Sequence, residues 1–412
     1  MLDSLQSEIQ SMSIESKLVE LDESLLFSTS GLTFGRILRL LEDSCPPFRN
    51  AKGDSRVVNL TGDIISKGKG FFSQVFQVIC EFSNTKRYEC IVKVPALNAL
   101  GEEQRDNLIH AHNTECSFYL QFRGIRSFAL PEIFYLEPIN STDGNNGLII
   151  MESFVGRADG LDFFRSSTSA QGQPIARAVA NLQFYARDST CKQWWSTLNK
   201  SMFLTTLFDT FIPKYFQQLV NDYPEFIPLI AKLGPLLNKE FGHYSLRSRP
   251  EEFNATTICH GDFQPNNLMF YTRADGSGVT DTLATIIDWQ LVFCGSALFD
   301  LGRFVVLTMD AEIREAEAEG LFRTYYNELC RLHENNGSKV PFSYKQGFEL
   351  FELAQCHQVI LLMVFMPFIK ETNQLLGIEE PRMQVLVTRT LKAAQHAIKL
   401  MEKYELQRFG KR

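Results

Sequence analysis

Apolar residues in the first half of the chain follow the spacing of β-strands. They alternate with polar residues, or run together over short stretches bounded by glycine, proline or polar residues. This pattern predicts strands at residues 57–65, 71–82, 88–95, 128–139 and 147–155. A helical pattern at residues 102–122 interrupts the series, so a sheet and one helix are expected to form a small first lobe.

Apolar residues in the second half recur at the three- and four-residue intervals of helices. The clearest helix is predicted at residues 173–186, and others at residues 311–337, 342–366 and 379–405. A hairpin with strands at residues 268–271 and 283–287 is expected between them. The two halves together predict an α+β fold.

The pattern divides the chain into three parts. Residues 57–155 are predicted to form the β-rich lobe, and residues 156–412 a larger, mostly helical lobe. Residues 1–56 show amphipathic helical patterns that are broken at Pro46-Pro47. We expect them to form a helical extension that packs on the first lobe.

Composition restricts the class of protein. A chain of 412 residues with 44% hydrophobic and 22% charged residues is typical of a folded protein, and its net charge of −7 provides no basic surface for nucleic acid. The nine cysteines form no C-x-x-C pair, which is typical of reduced thiols in the cytoplasm. The N-terminus has no apolar signal segment, and the longest apolar run, residues 359–369, is too short to span a membrane.

The chemically richest stretch surrounds the predicted hairpin. His260-Gly261-Asp262 and, after four further residues, Asn267 precede the hairpin, and Asp288 follows it. Because a hairpin returns the chain to the end of the sheet where it started, Asp262, Asn267 and Asp288 are expected to converge. Two carboxylates and an amide are the oxygen ligands and the base that Mg-nucleotide chemistry requires.

This double motif, H-G-D-x-x-x-x-N followed by I-D-W-Q, resembles that of the aminoglycoside phosphotransferase and choline kinase superfamily. It most closely resembles the CHK kinase-like (ecdysteroid kinase-like) branch, which includes many uncharacterised nematode members. A protein kinase would have H-R-D, D-F-G and a long segment ending in A-P-E, whereas only eleven residues separate Asp288 from Asp300. The resemblance implies a bilobal protein-kinase-like fold.

The resemblance also implies roles for the residues of this stretch. The expected activity is transfer of the γ-phosphate of ATP, with Mg²⁺, to a hydroxyl group. Asp262 would be the base, Asn267 and Asp288 the Mg²⁺ ligands, and His260 an organiser of the catalytic loop. Asp300 would be a buried carboxylate that fixes this loop, or alternatively the N-cap of a helix.

The resemblance implies further roles for residues of the first lobe. Lys93, in YECIVKVP, matches the phosphate-binding lysine of the superfamily, and Glu115, in HNTECSFY, would pair with it. Gly68 and Gly70 lie in a turn between two predicted strands. That turn would cover the phosphates, although a plain hairpin turn explains the glycines equally well.

The segment that links the lobes is expected to bind adenine. Glu152 and Phe154 follow an apolar strand and resemble a hinge whose backbone groups would contact the base. An ordinary buried strand is the alternative.

The acceptor is expected to be a small molecule with a hydroxyl group, and an apolar one such as a steroid-like alcohol or a metabolite glycoside. The 34 phenylalanines and Trp194-Trp195 favour this, although each such residue is more often core. Gln355, His357 and Gln358 are further candidates to face the acceptor, and for His357 a core position is the alternative. Two other functions remain open: a choline or ethanolamine kinase, and a catalytically silent nucleotide-binding protein that acts as a sensor or scaffold.

Overall fold

The computed structural model describes most of the chain. The described residues are 31–65, 73–97, 102–125, 128–140, 146–187, 189–196, 198, 206–371 and 380–410. The predicted glycine turn with Gly68 and Gly70 and the first half of the predicted N-terminal extension lie outside them.

An antiparallel sheet with the strand order β1-β2-β3-β5-β4 forms the core of the first lobe. All five predicted strands are confirmed, but the fourth is shorter than expected because Pro131, which has no N–H to donate, precedes it. The strands are β1 (Val57–Ile64), β2 (Ser73–Phe82), β3 (Arg87–Pro95), β4 (Ile133–Glu137) and β5 (Leu148–Glu152).

Helices cover both faces of this sheet. Successive side chains of a strand point to opposite faces. Accordingly, Val92 on β3 belongs to a core shared with helices α1 (Phe34–Ser44) and α2 (Pro46–Lys52). The adjacent Ile91 belongs to the main core, which includes helix α3 (Glu102–Phe122).

The second N-terminal helix begins where the sequence predicted a break. Helix α1 ends at Ser44 and α2 begins at Pro46, because proline lacks the N–H that a continuing helix needs but fits the first turn of a new one. An ion pair also holds α1 to the sheet, with Arg36 Nη2 2.6 Å from Glu137 Oε1. The described part of the extension therefore packs on the first lobe.

The second half is mostly helical and contains two small sheets. Strands β6 (Ala158–Gly160), β8 (Leu268–Thr272) and β9 (Val279–Ile286) form one sheet, and β7 (Thr256–Cys259) pairs with β10 (Phe293–Ser296). The predicted hairpin is confirmed as β8 and β9. The sheets are antiparallel. The His260-Gly261-Asp262 motif follows β7, and Asp288 follows β9.

Long helices surround these small sheets. Their bounds are α4 (Ser169–Ala186), α5 (Ser189–Trp195), α6 (Ile212–Asp222), α7 (Ile227–Leu233), α8 (Lys239–His243), α9 (Arg249–Glu252), α10 (Phe299–Thr308), α11 (Ala311–Asn335), α12 (Tyr344–Glu371) and α13 (Glu380–Lys403). The α+β fold class predicted from the sequence is confirmed by this arrangement of sheet and helices.

Helix α12 is the most apolar element of the second half. In the described part of the chain it alone is long and apolar enough to cross a membrane by length and composition, and 83% of its most apolar window is buried in the protein. The apolar segment is thus longer than residues 359–369, the run that the sequence indicated. The helix packs against α10 and α13, as expected of a core helix.

Candidate active site

The centre of the candidate site is a lysine shared between two carboxylates. Lys93 on β3 places its Nζ 2.7 Å from Oε2 of Glu115 on α3 and 2.6 Å from Oδ1 of Asp288, which follows β9. The side chains of Lys93 and Glu115 are 7% and 1% exposed, and that of Asp288 is 25% exposed. The structure thus brings together three residues that the sequence separates by up to 195 positions.

Burial and charge oppose each other in this cluster. Burial lowers the pKa of Lys93, but the carboxylates of Asp288 and Glu115 outweigh it, so the pKa is raised overall. Burial raises the pKa of Glu115, and the Lys93 ammonium opposes that shift. Lys93 therefore remains a buried cation, and its charge is compensated from both sides.

Asp288 has an unusual backbone conformation. Its φ angle is +68°, in the left-handed region that non-glycine residues seldom adopt. The next residue, Trp289, stacks on Phe118 of α3 with ring centroids 3.9 Å apart and donates from Nε1 to the Ile286 carbonyl. These contacts hold the turn after β9 against α3, which directs the Asp288 carboxylate towards Lys93.

His260 organises the loop between β7 and β8 from a fully buried position. Its Nε2 lies 3.0 Å from the Ile287 carbonyl, and its Nδ1 accepts the backbone N–H of Asp262 at 3.2 Å. Burial lowers the pKa of His260, which favours the neutral ring that this accepting Nδ1 requires. The imidazole therefore joins the loop to the residue that precedes Asp288.

Asp300 fixes the same loop from helix α10. Its carboxylate accepts the backbone N–H of His260 at 2.7 Å and that of Gly261 at 3.2 Å, and the residue is 2% exposed. Helix α10 begins at Phe299 with Leu298 in the N-cap position, so the N-cap alternative for Asp300 is wrong. Its carboxylate holds the catalytic-type loop, as the resemblance implied.

Gly261 allows the loop to lie close to the backbone of Leu291, in the turn after Asp288. Its φ is +84°, and a Cβ atom built at this position would lie 2.2 Å from the Leu291 carbonyl oxygen. A side chain there would push the loop away from Leu291 and strain the backbone.

Replacement of Gly261 by alanine should therefore unfold the loop locally or shift it. We expect Gly261→Ala to lower the melting temperature, because the clash is with backbone. The matched control is Gly276→Ala, which also has a positive φ but an open space around its Cβ position. Equal melting temperatures for the two variants would contradict this account of Gly261.

The Asp262 carboxylate is surrounded by donors. Oδ1 accepts from Arg303 Nη2 at 3.0 Å, and Oδ2 accepts from Gln264 Nε2 at 3.0 Å and from Asn267 Nδ2 at 3.3 Å. Burial raises the pKa of Asp262, Arg303 opposes this, and the nearby charge of Asp288 adds to it. Asp262 is thus a half-buried carboxylate near Asp288, with a pKa above that of an exposed aspartate.

Asn267 links this loop to the turn that carries Asp288. Its side-chain Nδ2 also donates to the backbone carbonyl of Asp262 at 2.9 Å. The backbone carbonyl of Asn267 accepts the N–H of Ile287 at 3.0 Å. With the amide nitrogen engaged in these bonds, the amide oxygen is the atom of Asn267 that is suited to a cation.

The sequence did not identify Arg303 and Gln264 as residues of the site. Arg303 lies one helical turn after Asp300, in an otherwise apolar segment, and it is 7% exposed. A charged residue at a buried helix position three residues after Asp300 was an available signal, since positions i and i+3 share a helix face. Gln264 had no comparable signal.

The predicted hinge residues lie apart from the charged cluster. Glu152 Oε1 pairs with Arg157 Nη2 at 2.9 Å, and the same guanidinium lies 5.0 Å from the ring centre of Phe154. The Phe154 carbonyl accepts the backbone N–H groups of Arg157 and Ala158. The adenine contact of Glu152 and Phe154 therefore stays a prediction that concerns backbone groups alone.

The predicted acceptor-facing residues of helix α12 lie in the core. His357 and Gln358 are 0% exposed and Gln355 is 4% exposed, and burial lowers the pKa of His357 to about 3. Gln358 contacts Arg303 through Oε1. The core alternative is therefore correct for His357, because the helix turns this face towards α10. Trp195 is also buried, with Nε1 bonded to the Ala186 carbonyl.

Comparison with known proteins places the chain in a family. The model of the family DUF1679, described as "Uncharacterized oxidoreductase dhs-27", matches residues 98–405. The chain belongs to this family. The suspected resemblance to a nematode family with kinase-like members is thereby confirmed.

Two relatives come from Caenorhabditis elegans. "Uncharacterized oxidoreductase dhs-27" is 23% identical over 330 residues, which are 73% of this chain but only 38% of that protein. "Uncharacterized kinase-like protein D1044.1" is 21% identical over 324 residues, which are 73% of this chain and 80% of that protein. Among solved structures, a choline/ethanolamine kinase family protein from Mesorhizobium loti is 12% identical, with a TM-score of 0.41, over 91% of this chain and 97% of that one.

Proposed function

We propose that this protein is an ATP- and Mg²⁺-dependent phosphotransferase that transfers the γ-phosphate to a hydroxyl group of a small molecule. The observation that carries the proposal is the Lys93 ammonium, held between Glu115 and Asp288 at 2.7 and 2.6 Å. Phosphoryl transfer needs such an oriented cation beside a carboxylate that can bind a metal.

Lys93 is suited to bind a phosphate oxygen. An ammonium group has three N–H donors, and the described contacts occupy two of them, with Glu115 and Asp288. In the described part of the chain the third donor has no partner, and it would donate to the α- or β-phosphate. Because Glu115 is buried on α3, it would keep Lys93 in place when the nucleotide binds.

Asp288 and Asn267 are suited to hold Mg²⁺. Mg²⁺ is usually bound by one or two protein oxygens together with phosphate oxygens and water, and these two residues offer a carboxylate and an amide oxygen from adjacent turns. When bound, the metal would neutralise charge on the phosphates. The residues present therefore fit the ion.

Asp262 would accept the proton of the acceptor hydroxyl. A carboxylate has about four acceptor positions, and three are taken by Arg303, Gln264 and Asn267, so one remains for the hydroxyl. Its raised pKa makes it a better proton acceptor than an exposed aspartate. Alignment of the hydroxyl with the phosphate then supplies most of the remaining catalysis.

An apolar acceptor is favoured over a polycationic one. The sequence contains no run of more than two consecutive acidic residues that would indicate a receptor for a polycation. A steroid-like alcohol or a metabolite glycoside fits the aromatic-rich second lobe better.

The name of one relative suggests a different reaction, oxidoreduction. The match covers 38% of that protein, and the sheets in the described part of this chain are antiparallel. Dinucleotide-binding domains of the doubly wound type require a parallel sheet. The described fold therefore supports phosphoryl transfer rather than hydride transfer.

Transfer of label from γ-labelled ATP tests the proposal. We expect the protein, with Mg²⁺, to label a component of a small-molecule extract, and to do so when the apolar fraction of that extract is supplied as the source of acceptors. Choline and ethanolamine, supplied separately, test the alternative acceptors. Failure to label any compound, by a folded protein that binds Mg-ATP, would contradict the enzyme assignment and support a nucleotide-binding sensor or scaffold.

A further inference from the structure

We propose that Arg303 is a positioning residue for phosphoryl transfer, which orients the carboxylate of Asp262 from helix α10. This inference rests on the proposed function, because it assigns the role of Arg303 through Asp262. Arg303 Nη2 lies 3.0 Å from Asp262 Oδ1, and their side chains are 9% and 18% exposed. No feature of the sequence motifs assigns this residue a role.

A second contact, with Gln358 on α12, holds the Arg303 side chain in place. Its Nη1 lies 3.3 Å from Oε1 of Gln358 on α12, and Nε2 of that glutamine lies 3.4 Å from the Phe299 carbonyl at the start of α10. Gln358 is fully buried. A long side chain that is fixed at both ends can set the rotation of the carboxylate it contacts, because little freedom remains to it.

The same helical turn makes a second contact with the loop. Asp300 and Arg303 are three residues apart on α10, so they share a face. Asp300 accepts the N–H groups of His260 and Gly261, while Arg303 contacts the side chain of the next residue, Asp262. One turn of helix thus fixes both the backbone of the loop and the direction of its carboxylate.

The position of Arg303 favours a role in orienting Asp262 over direct binding of phosphate. The residue is 7% exposed, and the two nitrogens with described contacts face Asp262 and Gln358. We therefore infer that its effect on the reaction passes through Asp262. A misplacement of a reacting group by about 1 Å can cost 10²-fold in rate, so a large effect is expected without any contact to the nucleotide.

Arg303→Met removes the hydrogen bonds but keeps most of the side-chain length. We expect it to lower the rate of label transfer from Mg-ATP about 10²-fold and to leave the dissociation constant of Mg-ADP unchanged. Arg303→Lys, which restores the charge and one donor, should recover part of the rate. Transfer by Arg303→Met at the wild-type rate, while Asp262→Asn is impaired, would overturn the inference and leave the proposed function standing.

A double-mutant cycle distinguishes positioning from a general structural effect. If Arg303 acts through Asp262, then Arg303→Met should cause no further loss of rate in the Asp262→Asn background. The reason is that mutations at two residues that act together do not have additive effects. The matched control is Arg389→Met, another buried arginine of the second lobe, which pairs with Asp310. Its effect on the rate should be the same in both backgrounds.

The outcomes of this cycle are distinct. Full additivity of Arg303→Met and Asp262→Asn would overturn the inference, since a residue that only stabilises the fold behaves in that way. Absence of transfer by the folded wild-type protein would overturn both the inference and the proposed function. Non-additivity with unchanged Mg-ADP binding would establish Arg303 as a positioning residue.

Discussion

Asp288→Asn should abolish Mg-ATP turnover while the protein remains folded. Asparagine keeps the shape of the side chain but removes the charge that would bind Mg²⁺, and removal of one electrostatic stabiliser of a transition state costs up to about 10³-fold in rate. Lys93 would retain Glu115 as its buried partner at 2.7 Å, so the cluster would keep a compensating charge. The measurement is the initial rate of ADP release from Mg-ATP together with the melting temperature.

The control for this variant is Asp275→Asn. Asp275 lies in the exposed turn between β8 and β9 and bonds to the backbone of Ser277, away from the cluster. It should retain wild-type turnover. Retention of most of the activity by Asp288→Asn would contradict the assignment of the metal site.

Asp262→Asn should separate nucleotide binding from transfer. The variant loses the group that accepts the hydroxyl proton, and general-base catalysis typically contributes 10²–10⁴-fold; we therefore expect transfer to slow by about that factor. Lys93, Glu115 and Asp288 are untouched, so the affinity for Mg-ATP should not change. Calorimetric titration with Mg-ATP and label transfer, measured on the same preparation, test both halves of this prediction.

The stability of this variant needs its own measurement. Removing one charge of a buried pair leaves the other charge uncompensated, which costs roughly 3–5 kcal/mol when both groups are fully buried. The Asp262 side chain is 18% exposed, so a smaller loss of unfolding free energy is expected. A parallel loss of Mg-ATP affinity and of transfer in a folded Asp262→Asn protein would show that its assigned role as a base is wrong.

The sequence predicted the charged cluster because its members lie in recognisable local patterns. Lys93 stands in a strand, Glu115 in a helix and Asp288 after a hairpin, and each element was predicted within a few residues. The pair of Lys93 with Glu115 then followed from the resemblance to a kinase-type arrangement, whereas the pair of Lys93 with Asp288 was not predicted. The structure adds the distances and the extent of burial.

Other features depend on contacts that no local pattern encodes. Arg303 reaches Asp262 only because α10 packs beside the loop, and Gln358 lies behind it only because α12 packs against α10. A sequence shows that His357 lies on an apolar helix, but the face it occupies depends on the neighbouring helices. For the same reason, an acceptor pocket assembled from distant helices could not be predicted.

The most direct test of the central claim is the Mg²⁺ dependence of ATP binding. Isothermal titration of the wild-type protein and of Asp288→Asn, each with ATP in Mg²⁺ and in a chelator, measures whether the cluster of Lys93, Glu115 and Asp288 forms a Mg-nucleotide site. We predict that the wild-type protein binds Mg-ATP more tightly than ATP alone, and that Asp288→Asn loses this difference. Equal affinity of the wild-type protein for ATP with and without Mg²⁺, or no binding in either condition, would contradict the account.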